Sequence, residues 1–221
     1  MSGPIRELMV EDDVAAAGER LFAGLHPRTV ALSGGSTPKA LYERLASPSY
    51  PWESTDIFFA DERCVPPQHP DSNFHMAEGA FLSKVPARVH RMRGEDCDAA
   101  GYERDLAGVF GPGIPQFDLI LLGLGPDGHT ASLFPGDAAL DERRRNVLRV
   151  DRPDHSRLTL TLPVIDAAST VIFLVVGASK QAALAALVGG RDVPAARVAA
   201  RRIIILADPA AASTLKGQAR D

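Results

Sequence analysis

A carboxylate and an imidazole stand two positions apart in GLGPDGHTASLFPG, Gly123 to Gly136, directly behind the apolar run FDLILL. Histidine titrates near neutrality, with an unperturbed pKa of ~6.5. A neighbouring carboxylate can orient the ring or favour its charged form, as a general acid–base catalyst requires. Asp127 and His129 are therefore the candidate catalytic pair. Gly123, Gly125 and Gly128 also spell the Gly-x-Gly-x-x-Gly fingerprint of dinucleotide binding, with Asp151 further along as the ribose-side acid. That reading needs the third glycine inside an opening helix. Here Pro135 and Gly136 interrupt the chain before any amphipathic run, so the glycines are expected to shape a loop that exposes Asp127 and His129.

Three further segments could bind an anion. Ser33-Gly34-Gly35-Ser36-Thr37-Pro38-Lys39 separates an apolar run from an amphipathic one. Its glycines allow a tight turn, Ser36 or Thr37 can cap the helix, and Pro38 suits the first helical position. Backbone N–H groups and the helix dipole then form a phosphate cradle from Gly34, Gly35, Ser36 and Thr37. The spacing is not that of a nucleotide P-loop. Asp61-Glu62-Arg63 ends the run DIFFADER, where Arg63 offers a forked donor set. Lys180 follows VIFLVVGAS at a helix start that Ser179 could cap; a cation there opposes the helix dipole unless an anion joins it. The other histidines, His26, His69, His75, His90 and His155, fall in loop or helix-surface contexts and are assigned no role. No histidine or cysteine stands at metal-ligand spacing from His129, and no Gly-x-Ser-x-Gly elbow is present, so neither a catalytic zinc nor a serine nucleophile is expected.

The elements that must position these residues are continuous apolar runs: RTVALSGG, DIFFADER, FDLILLGLG, STVIFLVVGASK and RRIIILADPAAA, with a shorter RVHRM. Such runs imply strands buried on both faces. Helical patterns at TPKALYERLA, SNFHMAEGAFLSKV, AAGYERDLAGVF and SKQAALAALV alternate with them. The expected fold is α/β: an open, mostly parallel sheet with helices on both faces, a Rossmann-like three-layer sandwich, with residues 1–221 as one domain. RLTLTLPVI, Arg157 to Ile165, alternates and is expected to be a half-exposed strand with Pro163 at its edge or end. Ligands of such folds gather beyond the carboxyl ends of the strands, where all four segments lie.

Composition narrows the classes. A net charge of −4 gives no generalised nucleic-acid surface, and Arg143-Arg144-Arg145, flanked by acids, reads as a solvated helix face. No apolar run approaches the ~20 residues of a membrane span. The charged N-terminus lacks the apolar core of a secretory signal, so the expected compartment is the cytoplasm. Cys64 and Cys97, outside any CxxC spacing, read as reduced thiols.

Taken in order, LSGGSTPKALYERL, FFADERCVPPQHPDSNFHMAEGAFL, FDLILLGLGPDGHTASLFPG, RLTLTLPVI and VIFLVVGASKQ resemble the 6-phosphogluconolactonase and glucosamine-6-phosphate isomerase family across nearly the whole chain. The resemblance implies hydrolysis of a sugar-phosphate lactone to the open acid, the second step of the oxidative pentose phosphate pathway, without metal or organic cofactor. It implies His129 as the general base, Asp127 as its orienting partner, and phosphate held by the Gly34 to Thr37 loop with Arg63 and Lys180. Arg63 could instead stabilise the oxyanion. Asp61 would contact sugar hydroxyls or support Arg63, and Asn73 and Arg157 join as further substrate-binding candidates. The isomerase branch carries a glutamate after its histidine, whereas Thr130 to Pro135 here contain no carboxylate, which points to the lactonase branch. A sugar-phosphate sensor on the same fold would be expected to carry a DNA-binding segment, and no such pattern is present. The expected partner is the small-molecule lactone, with neither nucleic acid nor membrane, and the protein as monomer or homodimer.

Overall fold

The computed structural model describes residues 5–46 and 50–215. Its elements in chain order are β1 (Ile5–Val10), α1 (Val14–Leu25), β2 (Thr29–Leu32), α2 (Ser36–Leu45), β3 (Asp56–Phe59), β4 (Asp61–Arg63), α3 (Asn73–Ala80), β5 (Arg88–Val89), α4 (Ala99–Phe110), β6 (Leu119–Gly123), β7 (Val147–Val150), β8 (Arg157–Leu160), α5 (Leu162–Asp166), β9 (Thr170–Val175), α6 (Gln181–Val188) and β10 (Arg202–Ala207), with short 3-10 turns between. Seven strands form a parallel sheet in the order β1-β10-β9-β6-β2-β3-β5, and β4-β8-β7 form a small antiparallel sheet.

Side chains alternate between sheet faces, yet all six residues of β9 are buried. Both faces of the parallel sheet are therefore covered, as the continuous apolar runs require. Only the edges differ: Leu8 and Val10 of β1 and both residues of β5 are exposed. From β2 the chain proceeds outward to β3 and β5, then returns to the other side of β2 to build β6, β9 and β10. The strand order thus reverses between β2 and β6, and the loops after those two strands open onto one crevice. Asp118 sews the opposite ends of this pair together by accepting from Arg28 N, Thr29 N and Thr29 Oγ1.

Two buried tyrosines fix the points where chain leaves sheet. Tyr42 Oη accepts from Ser33 N at 3.1 Å and donates to Ser33 O at 2.9 Å, and Tyr102 Oη does the same for Phe59 at 2.9 and 3.2 Å. Burial pushes both phenols well above their ordinary pKa, so they remain neutral donors.

Several sequence expectations change. DIFFADER is not one strand: β3 ends at Phe59, and Asp61–Arg63 crosses into the antiparallel sheet as β4, with Leu160 N–H bonded to Ala60 O at the bend. RLTLTLPVI is not a half-exposed strand. Only Arg157–Leu160 pair, as the central strand of the small sheet with Leu158, Thr159 and Leu160 buried, and Pro163 sits in the first turn of α5, where its missing N–H costs nothing. Arg143 to Arg145 are exposed but lie in a loop, not on a helix; Glu142 accepts from all three backbone N–H groups, and Arg145 pairs with Glu103. Among the described residues no helix is long and apolar enough to cross a membrane.

Candidate active site

The loop after β2 supplies the first wall. Gly35 takes φ 111°, a conformation that disfavours any side chain, and it, rather than Ser36 or Thr37, is the N-cap of α2. Pro38 is the third helical residue, not the first. Ser36 and Thr37 stand in the first turn, where N–H groups have no intrahelical acceptor, and no side chain caps this helix among the described residues. A Cβ on Gly34 would overlap the Asn73 amide, so glycine there is what lets this loop close on α3.

The loop after β6 supplies the second wall. Gly128, at φ 84°, turns the chain so that Gly125 N–H donates to His129 O at 2.8 Å and Gly128 N–H to Gly125 O at 3.0 Å. Asp127 Oδ1 lies 2.6 Å from His129 Nδ1 and accepts the His129 backbone N–H at 3.1 Å. Burial works to raise the Asp127 pKa, but hydrogen bonds from the His129 backbone and ring outweigh it and hold the carboxyl below its usual value. An ionised Asp127 can only accept, so Nδ1 carries the proton and Nε2 keeps the lone pair. The ring packs on Phe134, centroids 4.6 Å apart, and a Cβ on Gly125 would overlap it.

The small sheet supplies the third wall. Arg63 Nη1 donates to Asn73 Oδ1 at 2.7 Å and to Asp71 O at 3.0 Å, while Asn73 Nδ2 donates to Asp61 O at 2.8 Å and Asp61 Oδ1 at 3.2 Å. The other Asp61 oxygen accepts from Ser132 Oγ at 2.7 Å. A buried chain of hydrogen bonds therefore runs from the His129 loop through Asp61 and Asn73 to Arg63. Glu62, also buried, caps α3 by accepting from Asn73 N and Phe74 N, and takes Ser72 Oγ and Arg63 N as well. Burial raises its pKa, against the pull of these four donors. Arg157 pairs with Asp154 and stacks toward Phe134, while its buried Nε has no hydrogen-bond partner among the described residues. Hydrogen bonding from the His155 backbone, reinforced by Arg157, lowers Asp154 to about 2.

Gly34 to Thr37, Asp61, Arg63, Asn73, His129, Arg157 and Lys180 all line one cavity of about 370 Å³. Asp127 does not line it; it stands behind the imidazole. Lys180 arrives through a 3-10 turn, Ala178–Lys180, and occupies the N-cap position of α6, so Ser179 is not its cap. Two residues escape sequence reasoning. Ser132 has no spacing signature, because its role depends on Asp61 meeting it across the fold. Ser33 lines the cavity with a buried Oγ that has no hydrogen-bond partner among the described residues, a feature visible only in three dimensions.

The cysteines are a correction. Cys64 and Cys97 form a disulfide with Cα atoms 5.1 Å apart, rather than two free thiols. Their 33-residue separation hides the pairing. Gly94 packs so tightly under the Arg63 and Val65 carbonyls that a Cβ would overlap them, and this brings the following turn against the end of β4.

Residues 9–205 match the family model described as glucosamine-6-phosphate isomerases/6-phosphogluconolactonase. The chain is 44% identical over 192 residues to a 6-phosphogluconolactonase of Synechocystis sp., covering 81% of this chain and 80% of that one. It is 48% identical over 167 residues to a 6-phosphogluconolactonase of Nostoc sp., covering 71% and 70%. Among solved structures, 6-phosphogluconolactonase from Trypanosoma cruzi superposes with a TM-score of 0.83 at 28% identity, covering 97% of this chain and 98% of that one.

Proposed function

The chain belongs to the glucosamine-6-phosphate isomerase/6-phosphogluconolactonase family, and from that premise we propose that its cavity hydrolyses 6-phosphogluconolactone with His129 as general base. The activity is that of the lactonase branch: an enzyme of the pentose phosphate pathway that opens a phosphorylated sugar lactone to its acid. The observation that carries the mechanism is the 2.6 Å contact of His129 Nδ1 with an ionised Asp127 at the rim of a cavity lined by Arg63, Arg157 and Lys180.

With Nδ1 committed to Asp127, Nε2 takes a proton from water as its oxygen bonds to the lactone carbonyl carbon. The tetrahedral intermediate then breaks its bond to the ring oxygen, which receives the same proton back from Nε2. Asp127 stabilises the imidazolium between the two transfers without itself taking the proton. The substrate phosphate sits on the free N–H groups and hydroxyls of Ser36 and Thr37, with Lys180 and Arg63 supplying charge. Gly34 and Gly35 let the backbone approach it. Asp61 and Asn73 aim Arg63, and Arg157 closes the far wall.

The test is lactone loss above spontaneous hydrolysis, compared for the wild type, His129→Ala and His129→Gln. Each variant should bind phosphorylated ligand yet lose ~10²–10⁴-fold in turnover. Full activity in either folded variant overturns the assignment of His129. No excess rate in the wild type, together with ammonia release from glucosamine 6-phosphate, overturns the lactonase reading.

A further inference from the structure

Outside the cavity, two imidazoles and a carboxylate meet where β4 ends and β8 begins. The register that sets Arg63 opposite Arg157 brings the loop leaving β4 against the loop entering β8, and Cys64 N–H bonds Ser156 O at 2.8 Å. In the first loop His69 N–H donates to Pro66 O and Ser72 N–H to His69 O, both at 2.9 Å, so two successive turns fix His69 and Asp71. His155, from the second loop, places Nε2 3.1 Å from Asp71 Oδ2, and His69 Nδ1 lies 3.8 Å from the same oxygen. The two rings stand edge to face at 5.5 Å, and one donor atom from each residue lies within 4.8 Å of the others. None of the three lines the cavity.

We propose that His69, Asp71 and His155 bind a divalent transition-metal ion of the zinc class. Two imidazole nitrogens and one carboxylate oxygen suit zinc, nickel or copper, whereas magnesium and calcium prefer oxygen-only shells. Ligands ~2.0–2.1 Å from a tetrahedral ion stand ~3.3 Å apart, and the 3.1 and 3.8 Å separations from Asp71 bracket that value. The side chains are 30–57% exposed, so small rotations can close the remaining distance and solvent supplies the fourth ligand. Asp71 N–H donates to His69 Nδ1 at 3.1 Å, so the lone pair of that nitrogen is directed at the backbone N–H. An ion would take over that lone pair.

Calorimetric titration of the intact protein with zinc chloride tests the site. One equivalent should bind the wild type and His129→Ala alike. The His69→Ala/His155→Ala double variant and Asp71→Asn should each weaken that equivalent ~10-fold or more. A large excess of magnesium should not compete. Cobalt(II) added to the wild type should give a visible absorption band that zinc abolishes, a readout independent of how the variants fold. No saturable zinc binding by the wild type, or equal stoichiometry and affinity in the double variant, overturns the proposal.

Discussion

The two walls facing each other across the reversal of strand order are built on opposite principles. In the loop after β6 the polar groups are already paired: His129 with Asp127, Thr130 Oγ1 with Gly123 O, Ser132 with Asp61. In the loop after β2 and at the start of α6 they are not. The Ser36 and Thr37 hydroxyls and the Lys180 ammonium have no hydrogen bond or ion pair among the described residues, and Ser33 Oγ is buried without one. A reacting imidazole gains from being held in one tautomer and orientation before substrate arrives. Donors meant for a phosphate gain from being left free, because any internal acceptor would have to be displaced. Under the proposed function the first wall is prebuilt for chemistry and the second is kept open for binding, so their mutants should separate into kcat and KM effects.

The sharpest separation is expected at the prebuilt wall. Asp127→Asn keeps the shape of the loop but presents an amide to Nδ1, which no longer fixes the proton there. Turnover should fall on the order of 10²-fold, within the ~10²–10⁴-fold that positioned proton transfer contributes, while KM stays near wild type. Gly125→Ala should act in the same direction, because its Cβ would overlap both the imidazole and the Asp127 carboxylate. Steady-state kinetics above the uncatalysed rate decide both; a rise in KM with unchanged kcat would break the distinction.

At the open wall, Lys180→Ala removes one charge-assisted contact of about 1.5–3 kcal/mol, a ~10–150-fold increase in KM for the phosphorylated lactone. An unphosphorylated lactone should bind no worse than before. Gly34→Ala should raise KM as well, since its Cβ would displace the Asn73 amide that holds Arg63. A collapse of kcat in Lys180→Ala, with KM unmoved, would place the lysine at the reacting centre instead.

What can be read in the sequence follows the same division. Glycines, a helix start and a histidine beside a carboxylate are local signals, so the Gly34 to Thr37 loop and the Asp127–His129 pair are legible from residue order alone. Long buried strands are equally plain, because an apolar run needs no partner to be recognised. Contacts closed by the fold are not. DIFFADER reads as one strand, and only the meeting of Asp61 with Thr159 across the small sheet shows that it bends at Ala60. β1 carries Arg6 and Glu7, and its role as an edge appears only when β10 pairs with it. Cys64 and Cys97 read as free thiols for the same reason, being brought together by the packing of Gly94.

Ser132 joins the His129 loop to the small sheet that carries Arg63, and its effect should be smaller than either. Ser132→Ala strands an Asp61 oxygen in a buried site, a loss of about 1–3 kcal/mol in unfolding free energy measured by denaturant titration. If the chain through Asp61 and Asn73 aims Arg63, KM should rise modestly while kcat holds. Ser132→Thr, which keeps the hydroxyl, should restore the Asp61 contact where the extra methyl is accommodated. Lost stability with unchanged KM would leave Ser132 as a packing residue alone.

The smallest effect, and the most direct view of the prebuilt pair, lies in the acid limb of the pH profile. Asp127 has a folded pKa below its ordinary value, because the hydrogen bonds from His129 exceed the opposing effect of burial. The sign follows from linkage: the stabilisation of the carboxylate is present above the unfolded value and is lost only as pH falls through the lower folded one. Between neutrality and the ordinary aspartate range, ~3.9, Asp127 therefore stays ionised and contributes no step of its own. Any fall in kcat that Asp127 itself causes should therefore appear only below that range. An acid-limb step above that range that disappears in Asp127→Asn would mean that the carboxylate is not held by His129 beforehand, and that the His129 wall is assembled by substrate rather than before it arrives.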